Sequence, residues 1–143
     1  MDKKIGFTLI ELILVVALIL IIATTATVFN SRWYLQNNLE SAKNMLVSSI
    51  HKAQSYSIYQ KNGLTWGVCL IGKTIRMFGG SCDAPTIKDD YNLPANVNIN
   101  GLSNITFSSL RGEPNNPQNI NLSGNNQTYN LIINSAGGLN VYQ

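Results

Sequence analysis

Chemically reactive side chains are scarce in this chain. Its 143 residues include one histidine and two cysteines, and only 12% of them are charged. The lone His51 has no Cys, Asp or Glu at metal-ligand spacing, and the sequence contains neither a P-loop nor a G-x-S-x-G nucleophile motif. We therefore expect no catalytic, cofactor-binding or metal site, and we expect that the protein is not an enzyme.

Positive charge is also sparse. The formal net charge is +3 and the charged residues are scattered along the chain. Proteins that bind nucleic acid usually carry a basic arm or stripe that neutralises several phosphates. We therefore do not expect nucleic acid as the main partner. Binding of DNA through an exposed patch of Lys73, Arg76 and Lys88 remains an alternative.

Glycine and proline are absent from residues 7–29, which are almost entirely Leu, Ile, Val, Ala and Phe. As a helix, this run would be roughly 34 Å long at about 1.5 Å per residue, which is enough to cross a bilayer core. Lys3 and Lys4 precede the run, and lysines favour the cytoplasmic side. We predict a single-pass membrane helix with its N-terminus in the cytoplasm and the following domain outside it.

Glu11 is the one charged side chain in the apolar run. A carboxylate inside a hydrophobic span costs on the order of 2.5 kcal/mol or more and is usually paired. Because the run has no Lys or Arg, the cation must be an amine supplied by processing or by a neighbouring chain. Two alternatives are a secretory signal peptide, whose apolar region is normally shorter, and an ordinary anchor with an accidental acid, which is rare.

Residues 30–62 continue as a predicted amphipathic helix that ends near Gln60 and is capped at Asn62-Gly63. The Arg32-Trp33-Tyr34 triplet is typical of a membrane interface, although Trp33 packed under the following domain is an equal alternative. Apolar residues recur at steps of three and four, which predicts one buried face. This stripe consists of Leu35, Leu39, Ala42, Leu46, Ile50, Ala53 and Tyr56.

The sequence pattern of residues 63–143 predicts an antiparallel β domain. Strands over 64–71 and 74–78 flank Gly72-Lys73, a two-residue turn of type II′. Further strands are predicted over 104–108, 119–123, 128–134 and 139–142, with the last two forming a hairpin. Residues 83–103 indicate turns, with only a short possible strand over 97–100. Asp83, Asp89 and Asp90 do not have calcium-loop spacing and are interpreted as a solvated loop.

Cys69 and Cys82 are the only cysteines. The predicted topology places both of them outside the cytoplasm, where disulfides persist. Bridging them would close a loop of about 14 residues and contribute roughly 3 kcal/mol in the chain-entropy model. Their spacing is too wide for a C-x-x-C redox motif. We predict a structural disulfide between them.

The sequence Gly6-Phe7-Thr8-Leu9-Ile10-Glu11-Leu12 resembles the N-terminal signal of type IV pilins and type II secretion pseudopilins. The resemblance implies that residues 1–6 are a leader, that prepilin peptidase cuts between Gly6 and Phe7, and that the Phe7 amine is methylated. Glu11 would then pair with the Phe7 amine of an adjacent subunit during assembly. The implied partners are prepilin peptidase, other pilin or pseudopilin subunits and an inner-membrane assembly platform.

The rest of the chain is similar to minor pseudopilins of the GspH/FimT type. The similarity rests on the helical stripe, the Trp66-Gly-Val-Cys69 strand, the Ile105-Thr-Phe107 strand, the Arg111-Gly-x-Pro114 turn and the terminal hairpin. It implies a pilin-like α+β fold and a bacterial inner-membrane location before assembly. Two departures are Leu139, where relatives often have Arg, and the absence of the membrane-helix proline of major pilins. The alternatives are a major filament subunit and a tip module that binds DNA or an exported substrate.

Overall fold

The computed structural model describes residues 8–143, apart from the side chains of residues 25–35. Its first element is a single helix, α1, which covers Leu9–Ile58. The chain divides into two compact units, with the division between Tyr34 and Leu35. The predicted leader over residues 1–6 and Phe7 lie outside the described residues, as do the side chains of the Arg32-Trp33-Tyr34 triplet.

Helix α1 ends two residues before the predicted end at Gln60. Gln60 itself adopts the left-handed conformation (φ 48°), and a 3-10 turn follows over Lys61–Gly63. The indole Nε1 of Trp66 donates to the Lys61 carbonyl at 2.9 Å, and the Trp66 ring meets Tyr56 edge-on at a centroid distance of 4.8 Å. These contacts hold the turn against the helix, and they explain why the chain leaves α1 early.

In the described part of the chain, eight strands form two antiparallel sheets of four. Sheet A has the order β3-β2-β1-β5 and sheet B has the order β4-β6-β7-β8. The strands of sheet A are β1 (Trp66–Ile71), β2 (Thr74–Gly80), β3 (Pro85–Asn92) and β5 (Ile105–Thr106). Those of sheet B are β4 (Asn98–Asn100), β6 (Gln118–Gly124), β7 (Gln127–Ile133) and β8 (Leu139–Tyr142).

One core joins the second part of α1 to both sheets. The described members of the predicted helical stripe from Leu39 to Ala53 are completely buried. They pack in one cluster with apolar side chains of both sheets, among them Val68 and Ile75 in sheet A and Leu122 and Leu131 in sheet B. The α+β prediction, with a long N-terminal helix packed on antiparallel sheets, is therefore confirmed.

The two predicted hairpins are confirmed. Strands β1 and β2 pair with Ile71 opposite Thr74, and of the two turn residues Gly72 alone has a positive φ, of 60°. A type II′ turn requires this pattern. Strands β7 and β8 pair with Ile133 opposite Leu139. In both cases the short turn and the alternating apolar residues determine the register.

The interpretation of residues 83–103 as turns with only a short strand was wrong over Pro85–Asn92, which form the eight-residue strand β3. This strand is at the edge of sheet A, and most of its side chains are exposed, so it lacks the apolar alternation that indicates a half-buried strand. It is held by β2, with Arg76 directly opposite Asp90. The strand thus depends on cross-strand pairing.

Candidate functional site

Glu11 lies in the first turn of α1. The backbone N–H groups of Glu11 and Leu12 both donate to the Thr8 carbonyl, at 3.1 and 3.2 Å, so Thr8 caps the helix and Glu11 is its third residue. The Glu11 side chain is exposed, and none of the ion pairs within the described residues involves it. Its roles in assembly, and those of Gly6 and Phe7 in processing, stay predictions.

The helix on both sides of Glu11 exposes apolar side chains on every face. Twelve large aliphatic residues between Leu9 and Ile22 are 45% to 78% exposed. A helix that is apolar all round is normally buried in protein or in lipid, and an exposed apolar surface of this extent marks an interaction site. We call residues 9–22 the apolar segment.

The predicted membrane helix over residues 7–29 includes Phe7 and the side chains of residues 25–29, which lie outside the described residues. Within the part of the chain that is described, no helix combines the length and the hydropathy needed to cross a membrane.

The structure contains the predicted disulfide between Cys69, on β1, and Cys82, which follows β2. Both cysteines are buried against Phe78 in a small cluster separate from the main core. The Phe78 ring lies over Gly67, its cross-strand partner. The bridge therefore ties the segment after β2 back to the centre of sheet A.

Lys52 of α1 and Asp89 of β3 connect the helix to the edge of sheet A. The Lys52 ammonium donates to Asp89 Oδ2 at 2.6 Å, and the Tyr91 hydroxyl donates to the same oxygen at 2.8 Å. The Lys52 hydrogen bond, with a further contribution from Tyr91, lowers the pKa of Asp89, and Asp89 in turn raises the pKa of Lys52. Asp89 is thus a structural anion on a strand.

The cations that define the alternative DNA-binding patch each have a partner within the protein. Arg76 donates to both oxygens of Asp90 at 2.7 and 2.9 Å, and Lys88 lies 3.5 Å from the same carboxylate. Lys73 donates to the carbonyls of Ala95 and Val97. Asp90 offsets part of the charge of Arg76 and Lys88, and the two carbonyls hold the Lys73 ammonium without neutralising it.

The remaining predicted candidates are His51 and three aspartates. His51 is exposed on α1. Asp89 and Asp90 are adjacent on β3 rather than in a loop, and Asp83 is exposed before that strand. Among the residues that the structure describes, no three His, Cys, Asp or Glu side chains are grouped as a metal site would require.

Two polar residues that sequence reasoning missed join α1 to distant parts of the domain. Gln54 donates from Nε2 to the carbonyls of Gly112 and Gly137, both at 2.9 Å. Glu40 accepts a hydrogen bond from Lys43 and another from Tyr129 at 2.8 Å, and these bonds lower its pKa, Lys43 contributing most. No sequence signal identifies such pairs, because the partners are 58 to 89 residues away.

Comparison with known proteins gives one finding. Residues 1–27 match a protein family described as the prokaryotic N-terminal methylation motif. No curated protein and no solved structure gives a significant match. The match covers Gly6, Phe7 and Glu11, and it supports a relation to the type IV pilin-like superfamily. The motif indicates a subunit of the pilin or pseudopilin type that is processed by prepilin peptidase.

Proposed function

We propose that this protein is a minor pseudopilin-like subunit, similar to the GspH/FimT type, of a type IV pilus or a type II secretion pseudopilus. It is cleaved after Gly6, methylated at Phe7, held in the inner membrane by the N-terminal helix and then moved into the filament. The observation that carries the proposal is the apolar segment, which lies within the match to a methylation motif, contains one carboxylate and has its aliphatic side chains exposed.

The apolar segment suits two environments in succession, first the membrane and then the filament. Fully burying an aliphatic side chain is worth about 1.5–3 kcal/mol relative to water, so the segment must leave water. Lipid meets this requirement as well as other helices do, which means that burial alone does not drive helices together in a membrane. A further interaction must favour the filament over the membrane.

Glu11 supplies that interaction in our proposal. Placing its carboxylate inside the membrane costs on the order of 2.5 kcal/mol or more. Pairing with the Phe7 amine of a neighbouring subunit removes much of this cost, and in a low dielectric the attraction falls steeply if the two charges separate. The pair therefore selects one axial register for each added subunit, while the surrounding helices exclude water.

The domain after Tyr34 is then the exposed part of the subunit, outside the cytoplasm. Its disulfide fits that compartment. The partners are prepilin peptidase, the inner-membrane assembly platform and the other subunits of the filament. The protein acts as a structural part and carries out no reaction of its own.

Substitution of Glu11 by Gln tests the proposal. This variant keeps the shape of the side chain and the helix but removes the charge. We expect cleavage, methylation and membrane retention to be unchanged, and recovery of the protein in sheared filaments to fall at least tenfold. The readouts are the N-terminal peptide by mass spectrometry and the amount of the chain in the filament fraction.

Glu113→Gln is the matched control, because it makes the same chemical change at a partly exposed site far along the chain. It should assemble normally. A Gly6→Val variant should remain uncleaved. Normal incorporation of Glu11→Gln would refute the assembly role, and a mature N-terminus in Gly6→Val would refute the cleavage site.

A further inference from the structure

Charged residues are distributed unequally between the two sheets. The strands of sheet A carry Arg76, Lys88, Asp89 and Asp90. Within the described chain, the four strands of sheet B contain no Asp, Glu, Lys or Arg. Surfaces of soluble domains normally mix both signs of charge, so an uncharged sheet is a distinctive feature of this molecule.

The outward face of sheet B is lined by asparagine. Ile120 and Leu122 of β6, and Leu131 and Ile133 of β7, are buried, so the alternate residues of each strand point away from the core. Six of these outward residues are asparagines, and we call this surface the amide face. They are Asn98, Asn100, Asn119, Asn121, Asn130 and Asn140.

The amide face has a regular arrangement. Asn100, Asn121, Asn130 and Tyr142 are paired in register across all four strands. Because neighbouring strands are about 4.8 Å apart, this row is about 14 Å long. Tyr142 is 54% exposed, and Ile132 in the next row is 37% exposed. The result is a flat strip of amides with one aromatic and one aliphatic side chain.

The amides of this face are free to bind another molecule. Each asparagine side chain offers two N–H donors and one acceptor oxygen. Some asparagines elsewhere in the domain use theirs internally. Asn92 accepts a hydrogen bond from the Thr74 hydroxyl, and Asn134 accepts one from the N–H of Gly138. In the described structure, none of the hydrogen bonds formed by side chains involves the six amides of the face.

The chemistry of the face determines which ligand it suits. A nucleic acid or an acidic polymer would meet no compensating cation on the four strands that form this face. A protein partner would meet almost none of the apolar and aromatic area that forms the centre of protein interfaces. An uncharged polyhydroxylated polymer fits, since hydroxyl groups donate and accept as amides do, and its C–H surfaces can rest on Tyr142 and Ile132.

We propose that the amide face binds an uncharged polysaccharide, with the row from Asn100 to Tyr142 aligned along several sugar rings. This inference does not depend on the proposed assembly function, because it rests on residues 98–142 rather than on the processing motif. Failure of the polysaccharide proposal therefore leaves the assembly proposal unaffected, and the reverse also holds.

The test uses the full chain in a polyoxyethylene detergent, because a sugar-based detergent would compete. The protein is sedimented with microcrystalline cellulose, with chitin and with crosslinked dextran, while heparin and DNA resins serve as charged comparators. We expect retention on at least one uncharged polymer, and we expect that retention to persist at high salt because no ion pairs are involved. Retention on heparin or DNA alone would overturn the proposal.

Variants locate the binding. Asn121→Ala combined with Asn130→Ala removes the centre of the row and should weaken retention at least about tenfold, which corresponds to two hydrogen bonds of ordinary net strength. Asn104→Ala combined with Asn116→Ala is the matched control, because both residues are exposed outside the strands, and it should bind as wild type does.

A third variant keeps the test valid if the double asparagine variant misfolds. Tyr142→Ala changes one exposed side chain at the edge of sheet B, and it should also reduce retention while leaving the unfolding transition unchanged. If Asn121→Ala/Asn130→Ala is destabilised, Tyr142→Ala decides the question. Unchanged retention in Tyr142→Ala, equal loss in the control pair, or no retention of wild type on any uncharged polymer would each overturn the proposal.

Discussion

The side chain of Gln54 joins α1 to two loops that are far from it in sequence. Its amide nitrogen donates to the carbonyls of Gly112 and Gly137, and both of these glycines are buried. A buried carbonyl without a donor loses its hydration and gains nothing in return. Gln54 therefore satisfies two backbone groups that the fold has removed from water.

Substituting Gln54 by Ala should lower the free energy of unfolding by about 2 kcal/mol, because two hydrogen bonds are lost at about 1 kcal/mol each. Chemical denaturation followed by tryptophan fluorescence measures the change. Gln36→Ala is the matched control, since Gln36 is an exposed glutamine of the same helix, and it should have little effect. Equal effects of the two substitutions would contradict the role of Gln54.

The pair of Lys52 and Asp89 gives the domain a defined pH dependence. The pKa of Asp89 is lowered from 3.8 in the folded protein, mainly by the hydrogen bond from Lys52. A carboxyl whose pKa is lowered on folding contributes stability above its unfolded pKa, and this stability is lost as the pH falls through the folded value. The contribution therefore disappears in acid.

Substituting Asp89 by Asn should lower the free energy of unfolding by about 0.5 kcal/mol at pH 7, as is typical of a partly exposed ion pair. The difference between wild type and variant should shrink as the pH is lowered from 7 to about 2, because the wild-type carboxyl takes up a proton as the pH falls through its lowered folded pKa. Denaturation curves at pH 7 and at about pH 2 measure this difference in the free energy of unfolding. The same difference at both values would show that the charge of Asp89 makes no contribution.

Single residues were predictable when they stood out against their surroundings. Glu11 is conspicuous because it is the one acid in an apolar run. The cysteines are conspicuous because the chain has just two of them. Gln54 and Glu40 resemble any polar residue of an amphipathic helix, and their roles depend on hydrogen-bond partners that only the folded chain brings near. Sequence patterns report local chemistry and periodicity, whereas these contacts join residues that are far apart in the sequence.

At the scale of elements, the disulfide links β1 to the segment that follows β2. The two cysteines are 13 residues apart in the sequence. We expect Cys69→Ala combined with Cys82→Ala to lower the free energy of unfolding by about 3 kcal/mol, since the unfolded chain would regain its freedom in that loop. Denaturation with and without reductant measures the effect.

The double variant also supplies its own control. Reductant should destabilise wild type by a similar amount and should leave the variant unchanged. Destabilisation of the variant by reductant, or no effect on wild type, would show that the bridge does not constrain the domain.

Gly67 on β1 allows three parts of sheet A to approach closely. A Cβ at this position would collide with the Ile105 carbonyl of β5 and would lie 2.6 Å from the Phe78 ring of β2. Gly67→Ala should lower the free energy of unfolding by about 2 kcal/mol or more, because overpacking forces neighbouring groups apart. Thermal or chemical denaturation measures it.

Gly63→Ala is the comparison for that substitution. Gly63 has open space around its Cα but a positive φ of 63°, so the cost is conformational strain of about 1 kcal/mol rather than a collision. An equal or smaller effect at Gly67 would show that β1, β2 and β5 can separate without penalty.

Elements with a clear period were predicted, and an element without one was not. The stripe on α1 and the two tight hairpins follow from apolar spacing and turn residues. Strand β3 was missed because an edge strand with charges on both faces does not alternate between apolar and polar residues. Its pairing with β2 is a property of the sheet, which local sequence does not encode.

At the scale of the whole molecule, the sequence identified the class of fold but not its assembly into sheets. A long helix followed by β strands implies an α+β domain, which is confirmed. The division into two sheets, with β5 beside β1 and β4 beside β6, depends on contacts between distant strands. The amide face depends on that arrangement, so composition alone, although rich in asparagine, could not reveal it.

In the function proposed above, this chain is a processed subunit of a filament. The most direct test is to shear surface filaments from the native organism, identify this chain among the pilin-like subunits by mass spectrometry, and read its N-terminal peptide. We predict a methylated N-terminus at Phe7 and trace abundance, as for a minor subunit. Dominant abundance would identify a major subunit instead. A chain that is absent from filaments, or that still begins at Met1 within them, would contradict the proposed function.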